Sequence, residues 1–197
     1  MMTAIELPKR QEWTVDDLVD LPPDLNYELI NGRLVLPSPT PAHQDLSVDL
    51  LLALRVNCPP EYVVTLDLSL EIDPRNEPRP DVVAIRAEHY NRSPVPVQDA
   101  ILAIEVGSPG SMFRDLFDKS TVYAKAGIAN YWIVDEEEET HALLLTEMVL
   151  NSETGFYRTG RSTSEVFSVK VPWEITVDLP ELSRRRAAIR GRAKPAE

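Results

Sequence analysis

Two acidic residues border apolar, strand-like runs, where a charge is unfavourable unless it is paired or bound to a metal. Glu105 lies near the end of the apolar run 101–106, and Asp81 directly precedes the apolar run 82–85. If these runs pair as antiparallel strands, the start of the first lies beside the end of the second, so both carboxylates meet at one sheet edge. Carboxylates that close repel each other, and a divalent cation relieves the repulsion. The pattern predicts a metal site at Asp81 and Glu105.

The ligand chemistry favours a hard cation. Carboxylate oxygens suit Mg²⁺ or Mn²⁺ better than zinc. The three histidines, at positions 43, 89 and 141, are scattered, and the chain has a single cysteine, Cys58. These residues form no cluster with zinc-ligand spacing.

Two further residues are candidates for the same site. Glu28 shares a predicted strand face with Ile30, so it could reach the two acids from the N-terminal hairpin. Lys119 lies on the predicted helix after Glu105, where its ammonium could orient a water molecule or stabilise charge developing on a phosphate.

Structural interpretations of these residues compete with the chemical ones. Asp81 could be a turn residue at the start of a strand, and Glu28 could pair with Arg33 across the hairpin. Lys119 could form a surface i,i+4 pair with Asp115, which would stabilise the helix by ~0.2–0.5 kcal/mol. His43 could simply pack at the start of a helix.

The N-terminal half contains clear helix and turn signals. Thr14 followed by Asp17 predicts a short capped helix that Pro22 and Pro23 end. The Asn31-Gly32 pair predicts a hairpin between the runs 27–30 and 33–36. Apolar residues at helical spacing predict a helix over 42–56.

The remaining pattern predicts a mixed α/β fold. Strict alternation predicts one strand over 61–72, apolar runs predict strands over 81–85 and 100–106, and Gly127 is expected to end a helix over 113–126. A strand over 130–135, a solvated acidic turn over 136–139 and antiparallel strands over 141–177 follow. The segment 88–98 is the expected variable loop, and residues 184–194 are expected to form a basic, mobile tail.

Bulk composition limits the class of protein. The 197 residues include 20 basic and 32 acidic ones, a net charge of −12, which argues against a nucleic-acid coat protein but not against a nucleic-acid enzyme that uses a metal. Apolar runs fall well short of the ~20 residues that span a bilayer, so no membrane association is expected. The start has no apolar run typical of a secretory signal, and the lone cysteine fits a reducing cytoplasm.

Seven short motifs occur in a recognisable order. They are Tyr27-Glu28-Leu29-Ile30-Asn31-Gly32, Pro41-Ala42-His43-Gln44, Arg79-Pro80-Asp81-Val82-Val83, Glu105-Val106-Gly107-Ser108-Pro109, Arg114-Asp115 with Lys119, Tyr123-Ala124-Lys125-Ala126-Gly127-Ile128, and Tyr131-Trp132-Ile133-Val134-Asp135. Over roughly residues 14–182 the chain thus resembles the Uma-type putative restriction endonuclease family, a branch of the PD-(D/E)XK nuclease superfamily.

The resemblance implies a fold and an activity. The fold would be restriction-endonuclease-like, with a mixed central sheet flanked by helices, in a nuclease-like domain over 14–182 between an N-terminal arm (1–13) and the basic tail (183–197). The activity would be Mg²⁺- or Mn²⁺-dependent hydrolysis of phosphodiester bonds in nucleic acid, expected to be DNA. A homodimer is also expected, since two sites related by a two-fold axis suit the cutting of both strands.

The resemblance also assigns residues. Asp81 and Glu105 match the two acids of the superfamily, and Glu28 matches the acid of the family's N-terminal hairpin. In the mechanism that we expect, Asp81 and Glu105 bind the metal, Glu28 helps directly or through a metal-bound water, and the Val106 carbonyl is a further ligand. The superfamily lysine would stand at position 107, which is glycine here, so Lys119 takes that role. His43 matches a helix-start histidine that would orient Glu28. The alternatives are an inactive nuclease-fold interaction protein and a nuclease subunit that needs a partner chain for targeting.

Overall fold

A computed structural model describes residues 10–22, 25–107 and 112–193, without the side chains of 112–116. Its strands are, in chain order, β1 (Glu28–Ile30), β2 (Arg33–Val35), β3 (Tyr62–Leu66), β4 (Leu70–Glu71), β5 (Val82–Arg86), β6 (Val95–Pro96), β7 (Ala100–Val106), β8 (Asn130–Glu136), β9 (Leu143–Asn151), β10 (Phe156–Thr163), β11 (Val166–Val169) and β12 (Ile175–Asp178). Its α-helices are α1 (Pro41–Arg55), α2 (Met112–Ala126) and α3 (Leu179–Arg190), and three 3₁₀ segments span Val15–Asp20, Ala87–His89 and Val97–Asp99.

A six-stranded mixed sheet with the order β10-β9-β8-β7-β5-β3 forms the centre of the fold. The β7–β8 pair is parallel, and the other neighbours in this sheet are antiparallel. The predicted mixed α/β architecture is confirmed. No helix in the described ranges is long and apolar enough to cross a membrane.

The alternation of β7 sends its side chains to two different cores. Leu102 and Ile104 join the cluster beneath α1, together with Trp132 and Phe167. Ala103 joins the opposite cluster, with Tyr123 of α2 and Tyr131 of β8. Since strand side chains alternate between faces, Glu105 shares the α2 face with Ala103.

Local turn chemistry sets the elements around this centre. Asn31 and Gly32 have φ of 51° and 75°, the left-handed backbone that the predicted Asn-Gly turn requires. Helix α1 begins after Thr40, whose side chain accepts a hydrogen bond from the His43 amide, and α2 ends before Gly127, at φ 82°. The predicted hairpin and the two helices are therefore confirmed.

The prediction of a single strand over 61–72 is wrong, because the strand is interrupted at Asp67 and forms two pieces, β3 and β4. This residue has φ of 49°, a conformation that Asp tolerates better than most residues. Arg79 holds it there, since Nε donates to Asp67 Oδ1 at 2.8 Å and Nη2 donates to the Asp67 carbonyl at 2.5 Å. The downstream piece, β4, pairs in parallel with β6 outside the central sheet.

The N-terminal segment needs a smaller correction. The short helix after Thr14 is 3₁₀ and ends at Asp20, and Pro23 lies outside the described residues. The predicted capping box is present, as the Thr14 amide donates to Asp17 Oδ2 at 2.9 Å. Trp13, expected to belong to a separate arm, is buried against Leu18 and Leu29.

The basic tail expected from residue 183 is helical up to Arg190. Leu179, at the start of α3, is fully buried, and Ser183 Oγ accepts a hydrogen bond from the Leu143 amide at 3.0 Å. Arginines of α3 pair with acidic side chains of α1 and β8. Residues 183–190 are therefore part of a helix that is ion-paired to the rest of the chain, and the mobility expected of the tail stays a prediction.

The acidic run 136–139 is also more structured than predicted. Glu136 ends β8, and its carboxylate accepts hydrogen bonds from Arg190 at 2.6 Å and from Arg186 at 3.3 Å. His141 Nδ1 lies 2.7 Å from the same carboxylate. Glu136 is thus an ion-paired anchor, and only the residues after it form the exposed turn.

Candidate active site

All the side chains predicted for the site line one cleft of about 710 Å³ at the edge of the central sheet. The hairpin, the first turn of α1, the start of β5, the end of β7 and helix α2 each contribute to its wall. The predicted residues that it brings together are Glu28, His43, Asp81, Glu105, Val106 and Lys119.

Lys119 forms the centre of a buried ion-pair group. Its Nζ donates to Glu28 Oε1 at 2.8 Å and to Glu105 Oε2 at 2.9 Å. Glu28 is 7 % exposed, Glu105 3 % and Lys119 9 %. A lysine from α2 thereby reaches both acids.

The structural alternatives for these residues do not match the observed contacts. Glu28 pairs with Lys119 rather than with Arg33, whose guanidinium contacts Asp118 at 3.4 Å. Lys119 is buried and is not an exposed surface residue, while the side chain of Asp115 lies outside the described part of the chain.

Tyr123 is a site residue that the sequence reasoning missed. Its hydroxyl donates to Glu105 Oε1 at 2.7 Å, and its ring is fully buried. The spacing held a usable signal, because Tyr123 follows Lys119 by one helical turn and therefore shares its face of α2. Both oxygens of Glu105 thus accept a hydrogen bond from α2.

Asp81 is held by the end of β7. The antiparallel register of β5 on β7 pairs Val82 with Ile104, so Asp81 arrives beside Glu105 as predicted. Its Oδ2 accepts a hydrogen bond from the Val106 amide at 2.7 Å. The strand pairing therefore places the two acids next to each other.

His43 was expected from the sequence to orient Glu28, but in the structure His43 contacts Asp81. Its Nε2 lies 3.3 Å from Asp81 Oδ2. The hydrogen bond to Asp81 raises the pKa of His43 against the opposing effect of burial, with a smaller contribution from the Val106 backbone. His43 is consequently placed to orient Asp81.

Burial and charge crowding shape the electrostatics of the cleft. Burial raises the pKa of Glu105, and the neighbouring carboxylates of Asp81 and Glu28 act in the same direction, against Lys119. Burial alone would lower the pKa of Lys119, but the Glu105 and Glu28 carboxylates outweigh it and raise that pKa. Burial and Glu105 raise the pKa of Tyr123, so its hydroxyl keeps its proton.

Position 107, two residues after Glu105, is a glycine and so carries no lysine side chain. The Gly107 backbone takes part in strand pairing. Its amide donates to the Val134 carbonyl at 2.7 Å, which extends the β7–β8 pairing. Of the motifs around it, Ser108 and Pro109 lie outside the described residues, as do the side chains of Arg114 and Asp115.

A second group of possible metal ligands lies at the other end of the same strands. Glu88, His89 and Asp99 bring one ligand atom each to within 4.8 Å of one another. Asp99 is already paired with Arg86 at 3.2 Å and with His89 at 3.0 Å. These residues follow β5 and precede β7, so the group is remote from the cleft.

Comparisons with known proteins give one family and one fold. The family model described as "Uma2: Putative restriction endonuclease" matches residues 15–176. A crystal structure of a putative nuclease belonging to DUF820 from Anabaena variabilis superposes with a TM-score of 0.65 at 16% identity, covering 88% of this chain and 98% of that chain. No curated protein sequence matches. At that identity the superposition shows the fold alone, and it confirms the nuclease-like architecture.

Proposed function

Because this chain belongs to the Uma2 putative restriction endonuclease family, we propose that its cleft is the active site of a metal-dependent endonuclease. The observation that carries the proposal is the meeting of Asp81, Glu105 and Glu28 around Lys119. These residues come from four separate elements, and only the fold brings them together. The substrate would be nucleic acid, and DNA is the expected kind.

The donor set fits a hard divalent cation. Asp81 and Glu105 would hold Mg²⁺ or Mn²⁺, with Glu28 and the Val106 carbonyl as further oxygen donors. The cleft brings three carboxylates around one lysine. Burial raises the pKa of Glu105, the carboxylates of Asp81 and Glu28 raise it further, and a bound cation would offset the cost of the charged form. Such a cation, when bound, activates water and neutralises charge on the phosphate.

The chain's own residues would prepare the reaction geometry. Lys119 keeps its proton, because its neighbours raise its pKa, so it acts as a fixed positive charge beside the phosphate and not as a general base. The Tyr123 hydroxyl donates to Glu105, and His43 Nε2 contacts Asp81. Each acid is therefore oriented by a neighbouring side chain.

Two arginines extend the proposal to the substrate. Arg33 and Arg79 line the same cleft, with ion pairs to Asp118 and Asp67. Guanidinium groups suit phosphate oxygens, so these side chains could contact the nucleic-acid backbone. A homodimer for double-strand cleavage and a cytoplasmic location stay predictions.

The test is cleavage of plasmid and oligonucleotide DNA with Mg²⁺ or Mn²⁺. We expect wild type to cleave, and Asp81→Ala and Glu105→Ala to lose at least ~100-fold in rate, by analogy with the loss of a key electrostatic group. Glu153→Ala, in the exposed turn between β9 and β10, is the matched control and should cleave like wild type. Equal activity in all four proteins would point to a contaminating nuclease and contradict the proposal.

The rival function is a non-catalytic interaction protein that keeps the nuclease fold. The observation that favours it is Lys119 itself, since an ammonium between Glu28 and Glu105 partly neutralises the acids without a metal. Calorimetric titration with Mn²⁺ distinguishes the two hypotheses, a nuclease and a non-catalytic interaction protein. No binding of Mn²⁺ at millimolar concentration, with the fold intact, supports the rival, whereas metal binding without cleavage supports a nuclease subunit that needs a partner.

A further inference from the structure

Helix α3 lies outside the residues 15–176 that the family model matches, yet it contacts the element that carries His43. Its partners on α1 are spaced three and four residues apart, so they share one face of α1. Arg186 Nη1 donates to the Ala42 carbonyl at 2.7 Å, and Arg185 Nη2 donates to Asp45 Oδ1 at 2.8 Å. Arg185 also contacts Asp49, one turn further along.

Arg186 bridges α1 to the central sheet. While one of its terminal nitrogens contacts Ala42, the other lies 3.3 Å from Glu136 Oε2, at the end of β8. The Arg186 side chain is 13 % exposed, which is low for an arginine. The planar guanidinium can serve both acceptors at once, and an ammonium cannot reproduce that geometry.

The contact falls next to the site. Ala42 directly precedes His43, and Thr40 caps the same turn by accepting from the His43 amide at 3.3 Å. His43 in turn places Nε2 3.3 Å from Asp81 Oδ2. The first turn of α1 is therefore held by α3 on one side and presents His43 to Asp81 on the other.

We propose that Arg186 is a positioning residue, which fixes the first turn of α1 and thereby the contact between His43 and Asp81. This inference rests on the proposed nuclease function. Helix α3, which the family model does not cover, would then help to position the site residues.

Arg184 offers a matched control. It lies on the same helix, carries the same charge and is 67 % exposed, and it forms a salt bridge with Glu181 of α3 itself. Replacing Arg184 by Gln changes the charge of α3 as Arg186→Gln does, without touching the Ala42 contact.

The kinetic test measures kcat and KM for DNA cleavage in Arg186→Gln, Arg186→Lys, Arg184→Gln, His43→Ala and the double variant His43→Ala with Arg186→Gln. We expect Arg186→Gln to lower kcat roughly 10- to 100-fold with little change in KM, since it misplaces a group that supports the reaction. Arg186→Lys should recover part of the loss, and Arg184→Gln should match wild type. The double variant should be no slower than His43→Ala alone.

Two kinetic results would overturn the proposal. One is an unchanged kcat in Arg186→Gln. The other is a double variant whose loss equals the product of the single losses, because independent effects multiply. If Arg186→Gln does not fold, the same comparisons are made with Arg186→Lys.

A second readout does not depend on activity. Amide hydrogen exchange should become faster at residues 43–46 in Arg186→Gln and not in Arg184→Gln, and the ring signals of His43 should shift in the nuclear magnetic resonance spectrum at constant pH. Unchanged exchange and ring signals contradict the positioning role. If wild type cleaves no nucleic acid, the proposed function fails, while these measurements still decide the role of Arg186.

Discussion

At the residue scale, the site consists of carboxylates with little exposure to solvent and of the groups that donate hydrogen bonds to them. Lys119 and Tyr123 each donate to one oxygen of Glu105, and the Val106 amide donates to Asp81. Such a group is sensitive to the loss of any member, because removing one partner of a buried pair leaves an uncompensated charge.

Replacing Lys119 by Met should destabilise the metal-free protein by about 3 kcal/mol, since Glu28 and Glu105 lose their shared cation. Urea unfolding measures this loss. Adding Glu28→Gln to Lys119→Met should recover part of the stability, because it removes one of the two repelling charges. A single variant as stable as wild type would contradict the buried ion-pair group.

Replacing Tyr123 by Phe removes the donor to Glu105 Oε1 and keeps the ring. A buried acceptor left without its partner costs about 1–3 kcal/mol, and that is the expected loss in urea unfolding. Tyr90, which is 72 % exposed, provides the control, since Tyr90→Phe should leave stability unchanged. Equal stability of the two variants would show that the Tyr123 hydroxyl contributes nothing.

The sequence could indicate the acids but not all their neighbours. Glu105 and Asp81 were recognisable because a charge beside an apolar strand is unusual, and strand pairing follows from the pattern. Tyr123 was missed because a tyrosine in an amphipathic helix is ordinarily a core residue. The predicted partner of His43 was wrong because the true partner depends on how α1 packs against β5. Side-chain periodicity does not determine that packing.

At the element scale, the strand β7 and the helix α2 position the chemistry together. The alternation of β7 points Glu105 toward α2. The helical spacing of α2 puts Lys119 and Tyr123 on the face that contacts Glu105. Helix α3 completes the frame by holding α1 against β8 through Arg186 and Glu136.

The pairing of Glu136 predicts a pH-dependent contribution to stability. Burial acts to raise its pKa, but hydrogen bonds from Arg190, His141 and Arg186 outweigh burial and lower it. A lowered folded-state pKa stabilises the protein above the unfolded-state pKa, and this contribution disappears as the pH falls through the folded-state value.

Glu136→Gln should therefore destabilise the protein by about 1 kcal/mol at neutral pH, a value discounted because Arg190 is partly exposed. The difference from wild type should shrink below about pH 4. Thermal unfolding across pH 3–8 measures it, with the exposed Glu138→Gln as the control. A difference that persists at low pH would mean that packing, and not charge, explains the effect.

Element prediction failed where distant residues decide the backbone. The alternating pattern continues through Asp67, so the sequence alone shows no break, which Arg79 imposes from the neighbouring segment. Residues after 183 suggested a solvated tail, because the acids that pair with them, Asp45, Asp49 and Glu136, are remote in the chain. By contrast, the Asn31-Gly32 turn and β7 depend on local signals and were predicted correctly.

At the scale of the whole molecule, the net charge of −12 sets how the protein can meet nucleic acid. Such a net charge offers little general attraction for phosphate, so nucleic-acid binding by the proposed nuclease would depend on the cleft, on the cations that line it and on bound metal. The chain's membership of the Uma2 family and its nuclease-like fold agree with this concentration of function in one cleft.

The most direct test of the central claim is a crystal structure of the protein soaked with Mn²⁺, whose anomalous signal locates the ion. The proposed metal site predicts an anomalous peak between Asp81 and Glu105, within coordination distance of both carboxylates, and loss of that peak in Asp81→Ala. An empty cleft at millimolar Mn²⁺, or a peak only at Glu88, His89 and Asp99, would contradict it.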